Sequence, residues 1–350
     1  MAPVSSQICP RPLFASSVIQ MAHGSGGRLM HELLARLLPL LPGTVHQNVR
    51  HDGAIIPVGP WENLAFTTDS YVVRPLFFPG GDIGKIAVNG TVNDLAMCGA
   101  QPKALSCSLI IEEGFSVATL ERVMASMAEA ARVAGVDIVT GDTKVIDGGS
   151  GGNLFINTAG IGAVNPGITI TPSRIVSGDA IIISGDIGRH AVAVMSARSD
   201  LTFNPPIESD SMPLTALVQA LIQAEIPIHC LRDATRGGLA STLVELAESS
   251  GCGMAVVEKE IPVSTQVRGV CEILGLDPMY LANEGCLVAI VAADFAESAL
   301  KVMRTVAAGE RAQLIGRVTS QHPGVLMMAG PYGTKRTVPM LSGDQLPRIC

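Results

Sequence analysis

Residues 81–102, GDIGKIAVNGTVNDLAMCGAQP, read as a helix of small residues closed by Gly99 and Pro102. Ile86, Ala87, Val88, Val92, Leu95 and Met97 leave it little polar surface, so it must lie mostly buried between other elements. The neighbouring sequence supplies them. ENLAFTTDSYVV precedes it as a strand candidate, and ALSCSLII follows as a buried strand. Next come a strong helix, SVATLERVMASMAEAARVAG, and the strands VDIVTGD and NLFINTAGIGAV.

Residues 165–179, NPGITITPSRIVSGD, turn rich in Pro, Gly and Ser, and a second series of strands and helices begins. It runs through AIIIS, helices near 188–198 and in PLTALVQALIQAE, helix 237–250, MAVVEK, helix 264–274, CLVAIVA and helix 294–307. The expected architecture is α/β (α+β) in two domains, 21–168 and 169–341, after an extension at 1–20 and before a flexible tail at 342–350.

Nearly half of the residues, 47%, are apolar, yet no apolar stretch approaches the length of a membrane span. The N-terminus lacks the apolar core of a secretory signal, so the expectation is a soluble, cytoplasmic protein. A net charge of −7, no long Lys/Arg run and 3% aromatics argue against nucleic acid. The eight cysteines form no C-x-x-C pair, and most sit in apolar stretches, which predicts buried thiols rather than disulfides or zinc ligands. Cys350, last in SGDQLPRIC, has no apolar frame.

The segment GGDIGKI at 80–86 fails as a P-loop, because Pro79 and Ile86 stand where Gly and Ser or Thr are needed. Gly24, Gly26 and Gly27 form either a backbone nest for phosphate ahead of a helix or a plain linker. Five isolated carboxylates, Asp52, Asp69, Asp94, Asp142 and Asp233, lie among small or hydroxyl residues, most at expected strand ends or loop openings. Any one of them serves as a turn or cap residue. Together they suit Mg2+, which takes hard oxygen ligands and shares them with nucleotide phosphates. Lys85, Asn89 and Asn93 recur every four residues on the buried helix, so they stack on one face and require polar partners: phosphate, metal-bound water or solvent.

The stretches TTDSYVVRPLFFPGGDIGKIAVNGTVNDLAMCGAQP, GDTKV, RDATRGGLA, NEG and the terminal PRIC resemble the HypE family of hydrogenase maturation factors over roughly residues 20–350. That family belongs to the ATP-binding superfamily of aminoimidazole ribonucleotide synthetase and selenophosphate synthetase. The resemblance implies an N-terminal sheet that pairs across a homodimer, with ATP between the two domains. It implies a Cys350 that receives a carbamoyl group from the carbamoyltransferase HypF, ATP-driven dehydration of that S-carboxamide to an S-cyanate, and delivery of cyanide to iron on a HypC–HypD scaffold. The implied bases are Lys144 and Glu284. Asp52, Asp94 and Asp233 are the implied metal ligands; Gly24, Gly26, Gly27, Lys85, Asn89, Asn93, Asp69, Asp142 and Thr143 are the implied nucleotide contacts. Competing expectations are another enzyme of the superfamily, of selenophosphate synthetase or thiamine-phosphate kinase type, and a non-catalytic thiol scaffold or metal chaperone.

Overall fold

The computed structural model describes residues 27–29, 31–32, 54–59, 62–147, 153–198 and 203–341. Gly24, Gly26, Asp52 and Cys350, with the extension 1–20 and the tail 342–350, lie outside the described residues. The first series runs β1 (Ala54–Gly59), β2 (Glu62–Tyr71), the ribbon β3 (Phe77–Phe78) and β4 (Gly81–Asp82), α1 (Ile83–Met97), β5 (Ala100–Glu112), α2 (Val117–Ala134), β6 (Asp137–Ile146) and β7 (Leu154–Val164). Five strands form one sheet in the order β1-β2-β7-β5-β6; β5 and β6 are parallel and the other pairs antiparallel.

Helix α1 buries 13 of its 15 residues. It starts at Ile83 because Asp82, in extended backbone, caps it: the carboxylate accepts N–H groups of Gly84 at 2.8 Å and Lys85 at 3.1 Å. Ser126 of α2 donates its hydroxyl to the same carboxylate at 2.5 Å, which ties the start of α1 to the middle of α2. Gly84 faces the Val123 carbonyl so closely that no Cβ would fit, so the two backbones touch there. Strand β6 runs past Asp142 to Ile146, because Asp142–Ile146 pair with Ser108–Glu112 of β5. It is an edge strand of the sheet, opposite β1, and all its residues except Ile138 are exposed.

The second series is β8 (Ala180–Ile183), α3 (Arg189–Arg198), α4 (Thr215–Gln223), β9 (Ile228–Asp233), α5 (Gly238–Ser250), β10 (Gly253–Val257), α6 (Thr265–Leu274), β11 (Leu287–Val291), α7 (Ala296–Met303), β12 (Gln313–Thr319), β13 (Leu326–Ala329) and β14 (Lys335–Val338). Its sheet has the order β14-β13-β10-β12-β8-β11-β9. Strand alternation explains why AIII is buried throughout: Ile181 and Ile183 pack with Leu239 and Leu243 of α5, while Ile182 packs on the opposite face with residues of α4 and α7. Each such side chain, fully buried, contributes about 1.5–3 kcal/mol. The helix expected over 294–307 is shorter, with single 3-10 turns at Ala293–Phe295 and Ala307–Gly309 flanking α7.

The domains share one apolar core: Ile83, Ile86 and Met127 lie in the same cluster as Val192, Met195 and Leu281. A strap at 207–214 crosses this boundary. Ser209 donates its N–H to the Pro79 carbonyl at 2.9 Å, and Asn89 Nδ2 donates to Ser211 Oγ at 3.1 Å. Asn93 closes a two-way clasp, with Nδ2 donating to Met212 O at 3.1 Å and Oδ1 accepting from Leu214 N at 2.7 Å. Among the described residues no helix is long and apolar enough to cross a membrane. Five of the described cysteines are buried, Cys252 is half-buried, and all six are free thiols.

Candidate active site

Where the first sheet, α1 and the second domain meet, carboxylates from four parts of the chain converge. Asp69 comes from the interior of β2 and Asp94 from the later half of α1, in keeping with the strand and helix the sequence predicts there. A mid-helix Asp is tolerable because Thr67 Oγ1, on the strand beneath, donates to Asp94 Oδ2 at 2.8 Å. Asp233 is the last residue of β9, and Glu284 stands in the loop before β11. Asn283 shapes that loop, donating Nδ2 to Ala234 O at 2.8 Å and accepting the Gly188 N–H on Oδ1 at 2.7 Å.

Burial and mutual repulsion set the electrostatics. Asp233 is 6% exposed, and burial pushes its carboxyl up to about 6; Asp69 pushes the same way, while Arg232 and Arg236 oppose it. Glu284 is held well above the ordinary carboxylate range by burial, then by Asp233, Asp210 and Asp69, with only Arg236 opposing. Tyr71, buried beside them, is raised by burial and by Asp69, Asp94 and Glu284, so its phenol stays neutral. Arg236 Nη2 approaches Asp69 Oδ1 at 3.7 Å and is half exposed, which leaves the cluster with more negative charge than its cations offset.

A divalent cation fits this donor set, since hard carboxylate oxygens gathered in excess of their countercharge are what Mg2+ requires. Among the described residues no group of three or more His, Cys, Asp or Glu is close enough to hold a metal by itself. One or two carboxylates completed by phosphate oxygens and water remain the arrangement that suits Mg2+ with a nucleotide.

The other expected residues are distributed unevenly around this cluster. Lys85 is half-buried and donates Nζ to Gly80 O at 2.9 Å. Asn89 and Asn93 meet protein partners on the strap, although Asn89 Oδ1 is buried without a hydrogen-bond partner. Gly27 is buried against Leu341, whose carbonyl accepts the Arg28 N–H at 3.2 Å. Asp142, Thr143 and Lys144 are exposed on β6, opposite Ser108, Leu109 and Ile110. Three strand spacings, about 14 Å, separate β6 from the strand that carries Asp69. One chain therefore gathers Asp69, Asp94, Asp233 and Glu284 and leaves the GDTK segment at the sheet edge.

The sequence reading missed Asp210. It is 2% exposed, and its carboxylate accepts the backbone N–H groups of Glu284 and Gly285. The only signal was a charged residue in ESDSMPL between two long helical runs, a stretch with no period to mark it as buried.

Comparison with known proteins identifies the family. The family described as AIR synthase related protein, N-terminal domain, matches residues 50–164, and its C-terminal counterpart matches residues 176–328. The carbamoyl dehydratase HypE of Azotobacter vinelandii is 49% identical over 332 residues, covering 95% of this chain and 97% of that protein. A crystal structure of a HypE–HypF complex superposes with a TM-score of 0.83 at 44% identity, covering 90% of this chain and 100% of the other. A HypE in complex with ATP gives a TM-score of 0.80 at 46% identity, covering 93% of this chain and 98% of the other. The chain thus belongs to the HypE carbamoyl dehydratase family, within the AIR synthase related proteins.

Proposed function

We propose that the protein dehydrates an S-carboxamide carried on its own Cys350 to an S-cyanate at the expense of ATP, supplying the cyanide ligand for nickel–iron hydrogenase maturation. The observation that carries this reading is the buried Glu284 among the interdomain carboxylates, in a chain homologous throughout to carbamoyl dehydratases. A carbamoyl oxygen is a poor leaving group because it would depart as hydroxide. Transfer of the ATP γ-phosphoryl group to that oxygen makes phosphate the leaving group, and the nitrogen gives up two protons as the C≡N bond forms. The products are the S-cyanate, ADP and phosphate.

Glu284 suits the base role, since a carboxylate raised toward neutrality accepts a proton more readily than an ordinary one. Asp94 and Asp233, with Asp52, are assigned to Mg2+, which when bound would neutralise charge on the phosphates. Asp69 and Lys85 are assigned to the nucleotide, as are Gly24, Gly26 and Gly27. Asn89 and Asn93 support the same cleft by clasping the strap. The exposed edge of β6 is assigned to a second copy of the chain, with Asp142, Thr143 and Lys144 at the seam between copies. HypF is the assigned carbamoyl donor, in keeping with the HypE–HypF complex of a relative, and a HypC–HypD scaffold in the cytoplasm is the assigned acceptor.

Intact-mass measurement tests this reading. With HypF, carbamoyl phosphate and ATP, the chain gains one carbamoyl group on Cys350 and then loses one water. A selenophosphate synthetase or thiamine-phosphate kinase activity would need no adduct, and a passive thiol scaffold would keep the carbamoyl group intact. No adduct, or one on another cysteine, contradicts the assignment.

A further inference from the structure

The strap that joins the two domains also grips the proposed base. Both oxygens of Asp210 lie 3.2 Å from the Glu284 backbone nitrogen, and Oδ2 accepts the Gly285 N–H at 3.0 Å. On the far side of the same residue, the Met212 N–H donates to the Glu284 carbonyl at 3.4 Å. The Gly285 Cα faces the Asp210 carbonyl with no room for a Cβ, so backbone meets backbone. The peptide groups on either side of Glu284 are thus held by residues 210 and 212. That stretch is in turn held to α1 by Asn89 and Asn93, and its Ser209 hydroxyl meets His190 Nδ1 at 2.9 Å.

A carboxylate makes poor filler for such a position. Asp210 is 2% exposed, and burial outweighs the pull of Arg189, whose own ion pair is with Asp186, so holding a carboxylate there costs free energy that packing alone would not require. What it contributes is a forked, charge-assisted acceptor for two successive N–H groups, which restrains both the position and the rotation of the 284–285 backbone. Met212 and Asn93 extend that restraint to the first domain, so the two domains are in register when Glu284 is in place.

We infer that Asp210 is a positioning residue for Glu284, fixing the backbone from which the proposed base reaches the carbamoyl nitrogen. The inference rests on the assignment of Glu284 as that base. Asp210 itself contacts backbone amides and not substrate.

The test uses the full-length chain carbamoylated on Cys350 by HypF, in single turnover at saturating Mg-ATP, with water loss read by intact mass and ATP affinity read by calorimetry. Asp210→Ala and Gly285→Ala are expected to keep ATP affinity within about twofold while slowing water loss about ten- to a hundredfold. Asp210→Asn keeps one acceptor oxygen and is expected to recover most of the wild-type rate. A wild-type rate in Asp210→Ala, or equal losses of rate and ATP affinity, overturns the inference, the latter because it marks a general structural role. A rate in Asp210→Asn as low as in Asp210→Ala overturns it too. If Asp210→Ala does not fold, Gly285→Ala decides by the same comparison. Glu284→Gln separates the two assignments: unimpaired water loss in that variant removes Glu284 as the base, whereas a stalled Glu284→Gln beside a normal Asp210→Ala removes only Asp210 as its support.

Discussion

At the scale of single residues, Asp233 shows how the site trades stability for charge. Burial first, and the Asp69 carboxylate second, raise its carboxyl from 3.8 to about 6. The folded chain therefore holds this proton more tightly than the unfolded chain. The stabilising contribution is full below 3.8 and is lost as pH rises through about 6. Above that, the metal-free protein carries an ionised buried carboxylate at a cost on the order of 1–3 kcal/mol. Asp233→Asn should accordingly raise the Tm of the metal-free, nucleotide-free protein at about pH 8. The gain should shrink below about pH 6 and vanish near pH 4. Thermal melts across that range check it, and a lower Tm for the variant at pH 8 would contradict the electrostatic account. Residue-scale chemistry was partly legible: Asp233 and Glu284 sit in short polar motifs between apolar strands, where a charge draws notice. Asp94 lies in the helix the sequence predicts, but nothing local announces that Thr67, 27 residues earlier, answers it from a strand. Asp210 was invisible because its partners are backbone N–H groups 74 and 75 residues away.

At the scale of elements, α1 and β6 are opposites. Helix α1 is apolar nearly all round, and its burial and its end near Gly99 follow from composition and breaker residues. Its two asparagines needed tertiary information, because the sequence fixes only that they share a face and not that a strap from the other domain meets it. Strand β6 is an edge strand exposed along its length, with Val139 and Val145 at 65% and 63% exposure. Phe66 and Ile161, paired across β2 and β7, add exposed apolar surface to the same sheet. An unprotected edge and an apolar face of this kind invite a second copy. Combined substitution Val145→Lys and Ile161→Lys should convert a dimer to a monomer with the fold intact, as sedimentation velocity and circular dichroism would show. A wild-type sedimentation coefficient that is already monomeric, or a dimer that survives both charges, would contradict this use of the sheet.

At the scale of the whole molecule, two α/β units enclose a common core, and the carboxylates of the first meet Glu284 of the second across it. The two series of strands and helices were readable from apolar periodicity and from the Pro/Gly-rich stretch between them. Their mutual orientation was not, because it is set by the strap's hydrogen bonds and by side chains such as Ile83 and Val192 that carry no directional signal in sequence. The proposed function makes one demand: ATP consumption and dehydration are coupled at one cleft, on the thiol of Cys350. The direct measurement is rapid-quench single turnover of the Cys350-carbamoylated protein, counting phosphate released against water lost. The account predicts one phosphate for each water lost, appearing together, and no such burst from Cys350→Ala treated in the same way. Dehydration without stoichiometric phosphate, or an undiminished burst from Cys350→Ala, would contradict it.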